Sequence, residues 1–346
     1  MKILIDLLHP KHVHFFRPLV RRWQDRGHVV KITTRDKDIT HPLLDLFNVP
    51  YVCLSKQKKG LGLAPELLKR WLKFTMLLRD FRPDIVLSIS GITTSLPSRL
   101  LGIPNIALTD TETAELSNRI AFPFADRVLT PQWFTRDFGK THYRYRSFHE
   151  WSYLHPKEFS PDPELVRQEG INPDEPYSVV RFVRWAAVHD QGEKGFSAQD
   201  ALRLIRQLSS TMKVVLTSET PPPAALREFE VNVRVDRMHH VMAFSRLVVG
   251  ESPSMCAEAA LMCVPSVLAS SWAGKCGNMK ILADHFGLMK VYERGSDAVG
   301  AAIALANALP SREEMRQQRE KLIKDLEDIH EVIEAHIRSL TGKKDV

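Results

Sequence analysis

The feature that most narrows what this chain can fold into is an alternation of short apolar runs with amphipathic stretches, carried through twice. Residues 2–6 (KILID) form a buried-strand pattern, and residues 15–25 carry Phe16, Leu19, Val20 and Trp23 at helical spacing. Gly27 stops that helix, and residues 28–33 (HVVKIT) read as the next strand, completing a βαβ unit. A short helix at 43–47, a long one at 66–81, a strand at 84–90 before a turn at Gly91, and a strand at 104–108 continue the series. A second series opens with a strand at 178–183 and runs through a helix at 198–209 and strands at 213–217 and 247–250. It closes with a helix opening near Ser254, a strand at 266–269 and a polar helical tail from Arg312. Alternation of this kind implies parallel sheets wrapped by helices, here two of them, with ligands held at the carboxyl ends of the strands.

The length of 346 residues is more than one compact core usually holds, so two domains are expected. Residues 155–176 contain Pro156, Pro161, Pro163, Pro173 and Pro176. This reads as a linker over 156–176, between an amino-terminal domain at 1–155 and a carboxyl-terminal domain at 177–346 that includes the tail. Two doubly wound domains joined this way are expected to form a cleft. The four cysteines show no CxxC pair, the opening lacks a secretory pattern, and no run of 18 apolar residues occurs, so a cytoplasmic protein is expected.

Charge is uneven. Residues 1–150 hold 24 Lys and Arg against 14 Asp and Glu, whereas the remainder holds 24 against 27. A basic half should face something anionic, with a phospholipid surface, an acidic glycan, a phosphorylated acceptor and nucleic acid as the candidates, or it is a solvated face. Within it, Lys56, Lys58, Lys59, Lys69, Arg70 and Lys73 interleave with Leu67, Leu68, Trp71, Leu72, Phe74 and Leu78. Such a segment either lies on an anionic membrane or packs its apolar face on its own sheet. Nucleic acid is not expected as a partner, since neither zinc-finger spacing nor a basic zipper is present. No GxxxxGK[ST] occurs either, which disfavours a P-loop kinase.

The most informative stretch of the second half is VVGESPSMCAEAALMCVPSVLAS, residues 248–270. A strand ends at Gly250, Ser252 and Ser254 form the turn, and a helix carries Glu258 about one turn in. Free amides and the dipole at a helix start suit a diphosphate, and Glu258 is then placed to hold ribose hydroxyls. The alternative is that Ser254 caps the helix and Glu258 is an exposed acid of its first turn.

This strand, small-residue turn and Glu-Ala pair, followed by VPSVL, resembles the nucleotide-sugar site of GT-B glycosyltransferases and of non-hydrolysing UDP-N-acetylglucosamine 2-epimerases. The stretches DLLHPKHVHFFRPLVRRWQDRGHVVKITTRD, RPDIVLSIS, LTDTETAELSNRIAFPFADRVLTPQWF and HEWSYLHPKEFSPDP resemble the prokaryotic family catalogued as domain of unknown function 354. The resemblance implies an α/β, GT-B-like fold of two Rossmann-like domains, with Ser252 and Ser254 on the diphosphate and Glu258 on the ribose. Pro253 departs from the commoner Gly-rich turn and removes one amide donor. Arg181 and Arg184, ending the first strand of the second domain, supply positive charge, or are a surface pair. VRVDRMHHVMAFSRL resembles the segment that cradles the base, with Val235 and Met238 as contacts.

In such a fold the loop after the first strand faces the cleft. His9, His12 and His14 are therefore placed to meet acceptor or sugar, and imidazole accepts protons near neutral pH. His14 is the expected base of an inverting transfer, and His12 an orienting or phosphate contact. Each also reads as a structural histidine at a strand end. The rival base comes from DTETAE: Asp110 and Glu112 follow the strand at 106–108, and Glu112 falls on the glutamate of a His-Val-Glu-Ala-Gly loop of the 2-epimerases. The His and Gly of that loop are missing here, which favours transfer over epimerisation. Asp110 and Thr111 alternatively cap the next helix.

The resemblance implies a glycosyltransferase moving sugar from a nucleotide-diphosphate donor, UDP-linked, to a surface glycan or glycolipid, at the inner face of the membrane. No metal or further cofactor is expected, because helix amides and Arg can neutralise the diphosphate. An epimerase or hydrolase of the 2-epimerase type, and a non-catalytic nucleotide-sugar-binding regulator, remain open.

Overall fold

The computed structural model describes residues 1–58, 60–183, 195–270 and 276–343, so Lys59 and Arg184 lie outside the described residues. The chain divides into two compact units, Met1–Glu158 with Leu326–Val346, and Phe159–Asp325.

In the first unit, β1 (Lys2–Leu7), β2 (Val29–Asp36), β3 (Val52–Lys56), β4 (Ile85–Ile89), β5 (Asn105–Leu108), β6 (Arg127–Pro131) and β7 (His142–Tyr145) form one sheet. Their order is β3-β2-β1-β4-β5-β6-β7, and every pairing is parallel. The order reverses at β1 and β4, so the switch point of this sheet lies at the carboxyl ends of those two strands. In β1, residues 3–7 are all buried, as a strand covered on both faces requires. The helix Pro10–Asp25 buries Phe15, Phe16, Leu19 and Trp23 against that sheet, and the chain leaves it through Gly27 at φ +79°.

The second unit is built from β8 (Tyr177–Phe182), β9 (Lys213–Ser218), β10 (Leu247–Gly250), β11 (Ser266–Ala269) and β12 (Met289–Tyr292). These are ordered β12-β11-β10-β8-β9 and all parallel. Here the reversal falls between β8 and β10.

Two boundaries differ from the sequence expectation. The tail does not complete the second unit as one piece: the helix Arg312–Asp325 stays with it, whereas the helix Ile329–Thr341 belongs to the first. Ile329, Ile333 and Ile337 recur at helical spacing and are buried in the first unit's main core with Ile3, Trp23 and Leu87. The Trp23 indole and the Arg26 guanidinium donate to Glu334 at 3.2 and 3.1 Å. A mostly polar tail conceals this narrow apolar stripe. The expected linker 156–176 is likewise largely part of the second unit. Its helix Pro163–Arg167 packs on the helix Met238–Phe244, and Val166 and Ile171 are buried.

Because Ile333 is fully buried in the first unit's core, Ile333→Ala should cost about 2–5 kcal/mol. Chemical denaturation of the full chain checks this, and a variant as stable as the wild type would contradict the docking of the tail.

Candidate functional site

In the first unit the loops leaving β1, β5 and β7 meet around Lys11. Pro10 opens the first helix at its N1 position, where the missing N–H costs nothing, and His9 caps it through Nδ1, which accepts from the Lys11 N–H at 3.2 Å. The expected histidine loop is therefore only two residues long, and His12 and His14 lie inside the helix. This sets the directions of their side chains. Lys11 reaches Asp110 at 2.6 Å and Glu150 at 2.8 Å. Asp110 also accepts from the Thr111 hydroxyl at 3.0 Å and lies 3.4 Å from His149 Nδ1.

Electrostatics separate the two carboxyls. Burial alone would raise Asp110, but His149 and Lys11 outweigh it and hold the carboxyl well below the ordinary range. Glu150 goes the other way, raised by its burial and by the charge on Asp110 against the pull of Lys11. Burial would lower the Lys11 ammonium, yet the two carboxylates hold it above its ordinary value. Paired groups pushed apart like this are what acid and base assignments are made of.

The nearby histidines are held neutral. Burial pushes His149 down to about 4. Burial, followed by the neighbouring His9 and His149, pushes His12 well below its ordinary value. His12 Nδ1 accepts from the Leu8 N–H at 3.2 Å, which puts its proton on Nε2 and makes that edge a donor, suited to an anion. His14 turns elsewhere, its ring packed 5.9 Å from Phe47 and 5.4 Å from Tyr153. Glu112 is buried in the turn after β5. The helix that follows, Glu115–Ala121, has Ala114 at its N-cap with no side-chain bond, so Asp110 and Thr111 do not cap it.

In the second unit the switch point between β8 and β10 is closed by contact. A Cβ on Gly250 would lie 2.5 Å from the Arg181 carbonyl, so only glycine lets the two strand ends approach. The Glu251 N–H donates to that carbonyl, and its carboxylate accepts from the Val183 and Phe196 N–H groups at 3.1 and 2.9 Å. Ser252, rather than Ser254, is the N-cap of the helix Pro253–Leu261, accepting from the Met255 N–H at 3.5 Å. Pro253 falls at N1, where its missing N–H is one the helix start does not use.

Glu258 is buried rather than exposed, 3.3 Å from His239 Nε2. That contact joins it to the segment expected to cradle the base, whose Met238 opens the helix Met238–Phe244 while Val235 lies exposed in the turn before it. Arg181 pairs with Glu219 at 3.2 Å. Among the described residues, no group of three or more His, Cys, Asp or Glu is arranged to hold a metal ion.

Lys11, His149, Glu150, His239 and Glu251 escape a sequence reading. The HE of HEWSYL stands between an aromatic strand and an aromatic helix, and two ionisable residues in that setting are a usable signal. Lys11 offers none, because its partners lie 99 and 139 residues away.

Two parallel-sheet units, each with a polar cluster at the carboxyl ends of its strands, define an α/β protein of the GT-B-like, Rossmann-type class. The chain belongs to the family described as Protein of unknown function (DUF354), which it matches over residues 1–340. It is 27% identical over 134 residues to an uncharacterized protein of Methanocaldococcus jannaschii, a match that spans 38% of this chain and only 39% of that relative. In structure it is similar to the UDP-GlcNAc 2-epimerase of Neisseria meningitidis bound to UDP-GlcNAc, with a TM-score of 0.69 and 14% identity over 99% of this chain and 100% of that one. It is also similar to the Streptomyces glycosyltransferase SsfS6, with a TM-score of 0.59 and 14% identity over 96% and 99% of the two chains.

If Lys11 neutralises two buried carboxylates, Lys11→Met should destabilise the protein by about 3–5 kcal/mol at pH 7. In the variant the folded-state carboxyl pKa values rise above their unfolded values. The deficit should therefore open as pH rises past the depressed wild-type value of Asp110, grow through the raised values of the variant, and be larger at pH 7 than at pH 4. Denaturant titrations at pH 4 and pH 7 read this directly, and equal stability of variant and wild type at pH 7 would contradict it.

Proposed function

We propose that this protein is a glycosyltransferase that moves a sugar from a nucleotide-diphosphate donor, UDP-linked, to a glycan or glycolipid acceptor. The observation that carries the reading is the turn after β10. Gly250 brings two strand ends together, Ser252 caps a nine-residue helix whose start carries the positive end of its dipole, and buried Glu258 lies further along it. In this reading Ser252 and Ser254 hold the diphosphate, Glu258 meets the ribose, and Val235 and Met238 line the base, with Arg181 adding charge. That the Neisseria meningitidis neighbour is an enzyme bound to UDP-GlcNAc supports UDP as the nucleotide.

In transfer, the acceptor oxygen forms a bond to the anomeric carbon as the bond from that carbon to the diphosphate breaks. The acceptor proton passes to a base, and helix amides offset the charge on the leaving diphosphate. His14 and Glu112 are the two candidates for base. Asp110, pinned as an anion by Lys11, orients rather than accepts, and the Nε2 proton of His12 suits a phosphate or sugar oxygen. Substituting the true base, by His14→Asn or Glu112→Gln, should lower turnover ~100- to 10,000-fold while donor affinity is kept. The rival substitution should affect mainly the acceptor interaction, and near-wild-type turnover in both would remove both candidates.

The reading requires free UDP to form from a UDP-sugar only when an acceptor is present. Interconversion of nucleotide sugars without acceptor would instead make the protein an epimerase, and binding with neither reaction a regulator. Glu258→Ala should weaken UDP binding without loss of fold, and unchanged nucleotide affinity would contradict the donor site.

A further inference from the structure

The helix Leu63–Phe81 is mounted with part of its polar side inward. Glu66 and Arg70 are buried at 7% and 2% exposure, while Leu68, Leu72 and Met76 stand 57%, 60% and 64% exposed. The rotation is fixed by bonds no other orientation satisfies. One Arg70 nitrogen meets both oxygens of buried Asp6 at 2.9 and 3.0 Å, and its others reach the Thr34 carbonyl, Ser55 and Thr93. Glu66 takes a bidentate pair from Arg35 at 2.7 Å. Trp71 donates to the Ile92 carbonyl and Lys73 to the Leu54 carbonyl. With this side locked, the stripe Leu68, Leu72, Met76 runs along the outer face at four-residue spacing.

The surroundings choose the occupant. Lys58, Lys69, Arg79 and Arg82 are exposed beside the stripe, Asp80 is the one exposed acid of the helix, and Glu66 is already neutralised by Arg35. Leu100, 74% exposed, ends the neighbouring helix Ser95–Leu100, which packs beside this one. An apolar stripe with four exposed cations against one exposed acid is complementary to a bilayer whose headgroups are anionic, because side chains of this length enter the acyl boundary while the cations stay at headgroup level. Of the cations that the sequence places in a basic face, Arg70 is buried and Lys73, though exposed, donates its ammonium to the Leu54 carbonyl, so the free charge is smaller than composition suggests.

The geometry points to the outer face of helix Leu63–Phe81 as a docking surface for an anionic lipid bilayer. This does not depend on the donor-site reading. The probe is the full chain sedimented with vesicles of phosphatidylglycerol in phosphatidylcholine, compared with phosphatidylcholine alone. The wild type should pellet with the anionic vesicles at low salt and be partly released by high salt. Lys69→Gln and Arg79→Gln should each lower partitioning roughly fivefold. Leu72→Gln with Met76→Gln should abolish it, leaving the melting temperature unchanged because both side chains are exposed. A wild type that ignores anionic vesicles at low salt overturns the inference, as does a Leu72→Gln, Met76→Gln variant that pellets normally. A concentration-dependent dimer that these two substitutions dissolve, without vesicle binding, gives the face to a second copy of the chain and overturns it equally.

Discussion

One ammonium group between two buried carboxylates organises the carboxyl edge of the first unit. Lys11 comes from the start of the first helix, Asp110 from the exit of β5 and Glu150 from the exit of β7, so a single charge ties three crossings of the sheet together. The charges are not interchangeable. Asp110 accepts from Lys11, with His149 Nδ1 3.4 Å away, and is held as the anion, whereas Glu150 is pushed toward its protonated form. Burying three ionisable groups is expensive unless each is paired, and beside them burial itself holds His149 and His12 in their neutral forms against the pull of Asp110. The orienting role assigned to Asp110 rests on that arrangement.

The second unit meets its own constraint with backbone rather than charge. The approach of Gly250 to the Arg181 carbonyl brings β8 and β10 close enough for the Glu251 carboxylate to bond the Val183 and Phe196 amides. The next residue caps a helix. A turn so determined leaves the helix start in a fixed place, which is what a phosphate site needs.

Much of this architecture is legible in the chain. The apolar runs at 2–6, 178–183 and 247–250 fall on β1, β8 and β10, and the strand–turn–helix at Gly250 lies at a switch point because the strands are parallel. What is not legible is local competition and distant pairing. Pro10 can open a helix, but a histidine is a weak sign of a cap, so His9 does not announce that His12 and His14 are helical. Helical spacing shows that residues 63–81 are amphipathic, yet which side faces in is decided by Asp6 and Thr34 on other strands. Ile329, Ile333 and Ile337 form a stripe too narrow to outweigh a polar tail in composition, although their burial transfers the last helix to the first unit.

The functional reading stands on the claim that the turn after β10 binds a nucleotide through its diphosphate. Titration calorimetry of the wild-type chain with uridine, UMP and UDP tests it most directly. If the helix start and the two serines carry the binding, affinity should rise at each added phosphate, with UDP at least ~10-fold tighter than uridine, a difference of about 1.4 kcal/mol. Equal affinities for uridine and UDP, or heat from none of the three, would contradict it.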